Sequence, residues 1–144
     1  MIYLLRHGEA EDGSGGDAER RLTEKGERQA LAAGMALREL GVEVDACLAS
    51  PKVRARDTAR IAAEVLGVPV EETEALRGGP FDALELAAGR GDVLLVGHEP
   101  DFSAVVGRLT GGNVAMKKGG IAIIDGSTLV ALLRPKELKR IADA

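Results

Sequence analysis

Aromatic residues are scarce in this chain, and positive charge is not in excess. The 144 residues include two Phe, one Tyr and no Trp, and the formal net charge is −4. Proteins that bind nucleic acids need basic side chains for the phosphate backbone and often use aromatic rings to stack on bases. We therefore expect no nucleic-acid partner.

Long apolar runs are missing as well, and there is a single cysteine. No segment approaches the roughly 20 apolar residues that span a bilayer, and residues 1–12 contain Arg and Glu too early for a signal peptide. Cys47 has no partner for an intramolecular disulfide, and its apolar neighbours predict a buried thiol. The sequence thus predicts a cytoplasmic protein without membrane contact.

Length and composition are those of one globular domain. Hydrophobic residues make up 45% and charged residues 29% of the chain. A chain of 144 residues suffices for one buried core and leaves little room for a second. We expect a single domain over residues 1–144.

Apolar strands alternate with amphipathic helices along the sequence. Strands are predicted over Ile2–Leu5, Val44–Ala49, Val68–Val70, Asp92–Val96, Ile121–Ile124 and Thr128–Leu133. Helices are predicted from the N-cap Thr23 to Leu40, over Lys52–Leu66, from Pro80 and Phe81 to Ala88, over Asp101–Leu109, and from Pro135 to Ile141. The alternation predicts parallel βαβ units, and Asp125-Gly126 predicts a hairpin turn. The expected fold is therefore α/β with a mostly parallel, mixed sheet.

Three polar segments follow predicted strands. The two histidines of the chain, His7 and His98, each stand just beyond an apolar strand and beside a glycine, and Arg54 follows the second strand at the start of a helix. Ligands of open α/β sheets bind at the carboxyl ends of the strands, and a helix N-terminus attracts anions. These residues are therefore expected to form one anion site.

Arginine suits a phosphoryl group because its planar guanidinium donates two parallel hydrogen bonds. Arg6 and Arg54 would neutralise a dianion, and their charge would keep the imidazole of His7 neutral and nucleophilic. Arg56 points to another side of the helix and is expected to be a surface charge. Gly8 and Gly97 are expected to let the backbone approach the ligand. Residues from Glu9 to about Arg21 read as a surface loop able to close over it.

The motifs together resemble the histidine phosphatase superfamily, which is phosphoglycerate mutase-like. The resemblance rests on Arg6-His7-Gly8, on residues 22–30 (LTEKGERQA), on Ser50-Pro51 with Arg54-Ala55 and Thr58-Ala59, and on Val96-Gly97-His98. It implies a three-layer α/β/α sandwich, no metal and no other cofactor. It also implies that His7 becomes phosphorylated and that Arg6, Arg54 and His98 are phosphate ligands.

The short chain, Arg20 and residues 117–122 are most similar to the SixA branch of small phosphohistidine phosphatases. The resemblance favours Arg20 over Arg21 as a further phosphate ligand. Only about 25 residues separate the second helix from the His98 strand, which leaves no chain for a lid. A pocket that no lid covers favours a large substrate, such as a phosphohistidine-bearing protein.

The general acid and the physiological substrate stay open at this point. Five carboxylates are candidates for the acid by type: Glu9, Glu74, Asp82, Glu85 and Glu99. Glu99 precedes a predicted helix and is more simply read as helping to start it. The alternatives to a phosphohistidine phosphatase are a broad phosphomonoesterase for small phosphorylated molecules on the same fold and a non-catalytic module that binds phosphohistidine or anions.

Overall fold

The computed structural model describes residues 1–13 and 15–144. The strands are β1 (Ile2–Arg6), β2 (Ala46–Ala49), β3 (Val70–Glu72), β4 (Val93–Gly97), β5 (Ile121–Asp125) and β6 (Thr128–Leu133). The helices are α1 (Glu24–Glu39), α2 (Val53–Leu66), α3 (Ala83–Ala87), α4 (Asp101–Thr110) and α5 (Pro135–Ala142), with single 3-10 turns at Asp17–Glu19 and Glu74–Leu76. Within the described ranges, no helix is long and apolar enough to cross a bilayer.

The strands form one sheet in the order β3-β2-β4-β1-β5-β6. Strands β3, β2, β4 and β1 run parallel, while β5 is antiparallel to β1 and β6 is antiparallel to β5. This arrangement confirms the mostly parallel, mixed sheet. Because β1 and β4 are neighbours, with Arg6 paired to Gly97, the segments that follow them leave the sheet side by side.

Helices cover both faces of the sheet. Alternate residues of β1 point to opposite faces, so Leu5 joins one hydrophobic cluster and Leu4 the other. The Leu5 cluster includes Leu37 of α1 and Leu138 of α5, and the Leu4 cluster includes Phe102 of α4. The fold is therefore an α/β/α sandwich, as expected.

Cys47 lies inside the first cluster and is 1% exposed. Burial raises the pKa of its thiol to about 12, which makes the thiol unreactive at neutral pH. The prediction of a buried structural cysteine is confirmed.

Helix α1 begins as predicted, and Leu40, the last residue of the predicted helix, lies just beyond its end. The Thr23 hydroxyl accepts a hydrogen bond from the Gly26 N–H at 3.0 Å, which is N-cap geometry. Ala33 and Leu37 are fully buried, whereas Leu40 is 49% exposed. Leu40 is the C-cap residue, where the chain turns away from the helix axis and helical periodicity no longer applies.

Two predicted strands begin later than expected. Ladder pairing of β2 starts at Ala46 rather than Val44. Strand β3 covers Val70–Glu72 rather than Val68–Val70, since Pro69 has no N–H to donate to a ladder and pairing begins at Val70.

Helix α3 and the hairpin turn also differ from the prediction. The Asp82 carboxylate accepts from the Glu85 N–H at 3.0 Å and so caps α3, which starts at Ala83 instead of at Phe81. In the hairpin, Asp125 pairs with Thr128, so the two turn residues are Gly126 and Ser127. Gly126 has a φ of 61°, a conformation that glycine adopts without strain.

Candidate active site

The two histidines meet at the carboxyl edge of the sheet. The His7 N–H donates to the Gly97 carbonyl at 3.0 Å, which extends the β1–β4 ladder by one residue beyond the strands. The imidazole centroids of His7 and His98 lie 5.4 Å apart. Both side chains are buried, with exposures of 5% and 6%. The expectation that both histidines belong to one site therefore agrees with the geometry.

The N-terminal turn of α1 holds the backbone that follows His7. The Glu9 carbonyl accepts from the Thr23 N–H at 3.0 Å, and the Glu9 N–H donates to the Gln29 side-chain oxygen at 2.8 Å. A Cβ on Gly26 would lie 2.0 Å from the Glu9 carbonyl oxygen, so only glycine permits this approach. The motif at residues 22–30 thus acts by bracing the loop that carries His7.

The environment of His7 leaves its Nε2 atom unprotonated, with a free lone pair. Its Nδ1 lies 2.7 Å from the Gly8 carbonyl oxygen, which can only accept, so the ring proton is on Nδ1. The pKa of His7 is lowered to about 4, mainly by burial, with further lowering from the charges of Arg54, Arg6 and Lys118. The expected effect of the arginines is present, but desolvation contributes more.

Arg6 reaches the side of the site that faces α4. Its Nη1 donates to the Met116 carbonyl at 2.7 Å. Burial lowers the pKa of Arg6, while the nearby Glu99 carboxylate opposes that shift. The Glu99 carboxylate in turn accepts from the backbone N–H groups of Ser103, at 2.7 Å, and Met116, at 3.3 Å. Glu99 therefore supports the start of α4, as its alternative interpretation held, and helps to fix the segment that Arg6 contacts.

Arg54 lies at the second residue of α2 and is 6% exposed. Its Nη1 donates to the Asp17 carbonyl at 2.8 Å, and its Nη2 lies 3.3 Å from the Asp17 carboxylate. Lys52 Nζ donates to the same carboxylate at 2.9 Å. These cations hold the pKa of Asp17 well below its usual range, with the Lys52 hydrogen bond as the largest cause. The loop after Glu9 is thus connected to the site through Asp17.

Thr58, one turn after Arg54, links α2 to the loop that carries His7. Its hydroxyl donates to the Arg54 carbonyl at 2.7 Å and accepts from the Gly8 N–H at 3.1 Å. A single buried hydroxyl therefore sets the distance between α2 and the residue beside His7.

Ser50 fixes the second histidine. Ser50 is fully buried, and its Oγ lies 2.8 Å from His98 Nε2. The same Oγ accepts from the Lys52 N–H at 3.1 Å, and among the described residues His98 Nε2 is the one acceptor bonded to this hydroxyl, so the hydroxyl proton is assigned to that bond. The pKa of His98 is lowered to about 3, mainly by burial and then by His7 and Arg54, so the ring is neutral. When Ser50 donates to Nε2, the ring proton of His98 lies on Nδ1.

Three buried nitrogen atoms of this site have no hydrogen-bond partner among the residues that the structure describes. They are Arg6 Nε, Arg54 Nε and His98 Nδ1. Buried donors are almost always paired, and an unpaired one costs about 1–3 kcal/mol. Three unpaired donors on residues that neighbour His7 or act on its charge form an arrangement that an oxyanion with several oxygens complements.

The glycines next to the histidines are explained by packing. A Cβ on Gly8 would lie 2.5 Å from the Gly26 carbonyl oxygen, and a Cβ on Gly97 would lie 2.9 Å from the Phe102 ring. Both backbone polar groups of Gly8 are engaged, by Thr58 and by His7. Contact of Gly8 with phosphate stays a prediction that these bonds do not support.

The loop arginines differ in their distance from the site. Arg20 Nε donates to the Glu11 carbonyl at 2.9 Å, and Arg20 Nη1 lies 3.4 Å from the Asp17 carboxylate that pairs with Arg54. Arg21 is exposed and lies beside Arg56 on another surface. Arg20 is therefore the better placed of the two, and its role in phosphate binding stays a prediction.

Among the described residues, none of the five candidate acids makes a hydrogen bond to His7. Glu74 is 78% exposed at its side chain, Asp82 caps α3, and Glu85 is exposed. Glu9 and Glu99 border the site, but the Glu9 carboxylate accepts from the Thr23 hydroxyl at 3.2 Å, and that of Glu99 is bound to backbone N–H groups. The geometry thus singles out no general acid.

The structure adds three residues that sequence reasoning did not assign to the site: Ser50, Lys52 and Asp17. Ser50 was within a recognised motif, and its position directly after a strand was the available signal. Asp17 lies in the loop after Glu9, where no periodic pattern indicates which side chain pairs with Arg54. Within residues 1–13 and 15–144, no group of three or more His, Cys, Asp or Glu side chains is arranged to hold a metal ion.

Comparison with known proteins shows the family. The chain matches the model of the histidine phosphatase superfamily (branch 1) over residues 2–90, and it therefore belongs to that superfamily. Its structure is similar to that of the protein histidine phosphatase SixA complexed with tungstate, with a TM-score of 0.83 and 25% identity over 96% of this chain and 99% of that one.

Two curated proteins extend the comparison. An uncharacterized protein of Picosynechococcus sp. (strain ATCC 27264 / PCC 7002 / PR-6) is 39% identical over 83% of this chain and 81% of its own length. The mitochondrial serine/threonine-protein phosphatase Pgam5 of Drosophila ananassae is 48% identical, over 42% of this chain and 21% of its own length. Membership of the superfamily supports phosphatase activity for this chain.

Proposed function

We propose that this chain is a phosphohistidine phosphatase that removes phosphate from a phosphorylated histidine on another protein, with His7 as the nucleophile. The observation that carries the proposal is that Arg6 and Arg54, whose charges act on His7, and His98, whose ring lies 5.4 Å from it, each keep one buried nitrogen atom without a hydrogen-bond partner among the described residues. Arg6, Arg54 and His98 supply these donors and have the polarity that the equatorial oxygens of a transferring phosphoryl group require.

The first step transfers the phosphoryl group to His7. The Nε2 lone pair forms a bond to phosphorus while the P–N bond to the substrate imidazole breaks, and the departing nitrogen takes a proton from solvent. The hydrogen bond from Nδ1 to the Gly8 carbonyl keeps the ring in the productive tautomer and stabilises the positive charge that develops on it.

The second step returns the enzyme to its starting state. Water attacks phosphorus, the P–N bond to His7 breaks, inorganic phosphate departs, and the proton lost by water passes to solvent. Neither step requires a strong general acid, because a protonated imidazole leaves phosphorus far more readily than an alkoxide does. A reaction that needs no strong general acid is consistent with a site in which the nearby carboxylates are engaged in other contacts.

A protein substrate is supported by the openness of the site and by the relatives. Arg54 and His98 line an open groove together with the loop at residues 78–80 and the first turn of α4. The similar protein named SixA is a protein histidine phosphatase, and the partly similar Pgam5 is a phosphatase of proteins. Metal independence and a cytoplasmic location stay predictions that accompany this proposal.

Trapping the phosphoenzyme tests the proposal directly. A peptide carrying labelled phosphohistidine is mixed with enzyme, quenched within milliseconds, and the acid-labile label is mapped on the chain. We expect label on His7, none in His7→Ala, and reduced but detectable label on His7 in His98→Asn. Because the chain has two histidines, mapping is unambiguous.

Three results would overturn the proposal. Label on Ser, Asp or Cys would contradict the nucleophile. Turnover of a sugar phosphate as fast as of the phosphohistidine peptide would replace the proposal by the broad phosphomonoesterase, and binding without turnover would replace it by the non-catalytic module.

A further inference from the structure

One side of the site opens into a groove lined by cations, which we call the basic groove. Six cations line it with Arg6 at its inner end: Arg6, Lys25, Lys117, Lys118, Arg134 and Lys136. Glu9 is the one carboxylate among the residues that line this groove of about 510 Å³. The chain as a whole has a net charge of −4, so positive charge is concentrated here.

Most of this charge is not neutralised by the protein. Lys25, Lys117, Lys118 and Lys136 are exposed, and none of them takes part in an ion pair among the described residues. Arg134 differs, because its guanidinium binds the Glu137 carboxylate at 2.8 Å. The charge of Lys118 reaches the catalytic ring, where it contributes to the lowered pKa of His7. The groove and the site are therefore electrostatically connected.

The basic groove continues into a second groove between α1 and α5, which we call the α1–α5 groove. The two share Lys25, Gln29, Pro135 and Lys136. The α1–α5 groove adds Lys139 and an apolar floor that includes Met35 and Leu31, and Leu31 is 44% exposed. From Lys25 to Met35 the helix rises by about 15 Å at roughly 1.5 Å per residue. An extended segment of about four or five residues covers that length.

We propose that the two grooves dock an acidic segment of the substrate protein that lies next to its phosphorylated histidine and carries an apolar side chain further along. This inference rests on the proposed function and names the substrate class. Carboxylates of the segment pair with Lys117, Lys118, Lys25 and Lys136, and the apolar side chain contacts Leu31 and Met35. A small phosphate ester does not extend far enough to use these contacts. The low content of aromatic residues gives nucleic-acid bases little to stack on.

Two phosphohistidine peptides of equal length test the docking. One carries four Glu and one Leu on one side of the phosphohistidine, and the other carries Gln and Ser at those positions. We expect kcat/KM to be at least tenfold higher for the acidic peptide at 20 mM salt, and the advantage to shrink severalfold at 300 mM salt because exposed ion pairs are screened.

Charge reversal locates the effect on the enzyme. The variant Lys25→Glu/Lys136→Glu is compared with Arg60→Glu/Arg90→Glu, which has the same change in net charge on surfaces away from the grooves. In the first variant, we expect the loss of kcat/KM with the acidic peptide to exceed the loss with an aryl phosphate at least tenfold. In the second, we expect the two losses to agree within about threefold.

Equal kcat/KM for the two peptides in the parent enzyme would overturn the docking while leaving the proposed function intact. A parent enzyme that hydrolyses the aryl phosphate but neither peptide would instead overturn the proposed function. Binding of duplex DNA or anionic vesicles that is lost in the Lys25→Glu/Lys136→Glu variant, without a peptide preference, would assign the grooves to another polyanion and also overturn the docking.

Discussion

Replacing Ser50 by Ala should impair catalysis through His98 without removing any group proposed to touch the substrate. Ser50 Oγ lies 2.8 Å from His98 Nε2 and is the group that leaves the ring proton on Nδ1, the atom without a protein partner. In Ser50→Ala the neutral ring is free to carry its proton on Nε2. Nδ1 then presents a lone pair to a phosphoryl oxygen, which is repulsive.

The size of the effect follows from the hydrogen bonds involved. Loss of a neutral hydrogen bond costs about 0.5–1.5 kcal/mol, and an unpaired buried polar group costs about 1–3 kcal/mol. Loss of a complete oxyanion donor is an upper bound of roughly 10²–10³ in rate. We therefore expect kcat/KM to fall about 10- to 100-fold, equivalent to about 1.4–2.8 kcal/mol of transition-state stabilisation.

Kinetics with an aryl phosphate measure the loss of rate, and the ¹⁵N shifts of His98 report which ring nitrogen carries the proton. The parent should show His98 protonated on Nδ1, and Ser50→Ala should show a mixture or the Nε2 form. Ser50→Thr, which keeps the hydroxyl, should recover most of the rate, and melting curves show whether each variant is folded. A parent His98 protonated on Nε2, or a folded Ser50→Ala within twofold of the parent rate, would refute the role of Ser50.

Three further predictions concern the charges around the site. Arg54→Lys should lose at least about 10²-fold in kcat/KM, because a point charge does not replace the guanidinium fork. Arg56→Ala removes only a surface pair with Asp57 at 3.2 Å and should stay within about threefold of the parent. Equal losses for the two variants in a steady-state assay would contradict the prediction that phosphate binds on the Arg54 side of α2. By NMR, the ring of His7 should titrate near pH 4 and not near its ordinary pKa of about 6.5, and a midpoint near 6.5 would contradict the lowered pKa. Between those two pH values the folded protein binds fewer protons than the unfolded chain, so the free energy of unfolding should rise with pH in that window. Asp17→Asn removes the charge of a 56% exposed carboxylate that pairs with Arg54. Competitive inhibition by inorganic phosphate should become about two- to fivefold stronger, in line with the small energies of exposed ion pairs. Weaker inhibition would mean that Asp17 positions Arg54 rather than competing with phosphate.

Local sequence patterns predicted the parts of the site that are adjacent to strands. An apolar strand that ends in a polar residue places that residue at the sheet edge whatever the rest of the fold does, and His7 and His98 follow this rule. The bounds of α1, α2, α4 and α5 were close to the prediction because caps such as Thr23, and Gly67 with its φ of 74°, act within one turn.

Contacts between distant segments were not available from local patterns. The pairing of Asp17 with Arg54 joins residues 37 positions apart, and that of Ser50 with His98 joins residues 48 apart. The family motif at residues 22–30 was recognised, but its physical role was not, because the bracing of Glu9 by Gln29 exists only once α1 packs beside β1. Sequence reasoning therefore indicated the residues proposed to react better than the residues that position them.

The β-sheet itself sets the spacing between His7, the proposed nucleophile, and His98. His7 and His98 extend neighbouring parallel strands, which lie about 4.8 Å apart in any sheet, and their rings are separated by a similar 5.4 Å. Their separation is thus inherited from backbone hydrogen bonding and is insensitive to most side-chain changes nearby. An engineer who wished to widen the site for a larger reacting group would have to alter strand pairing, whereas loops and surface charges remain free to vary with the molecule that carries the phosphate.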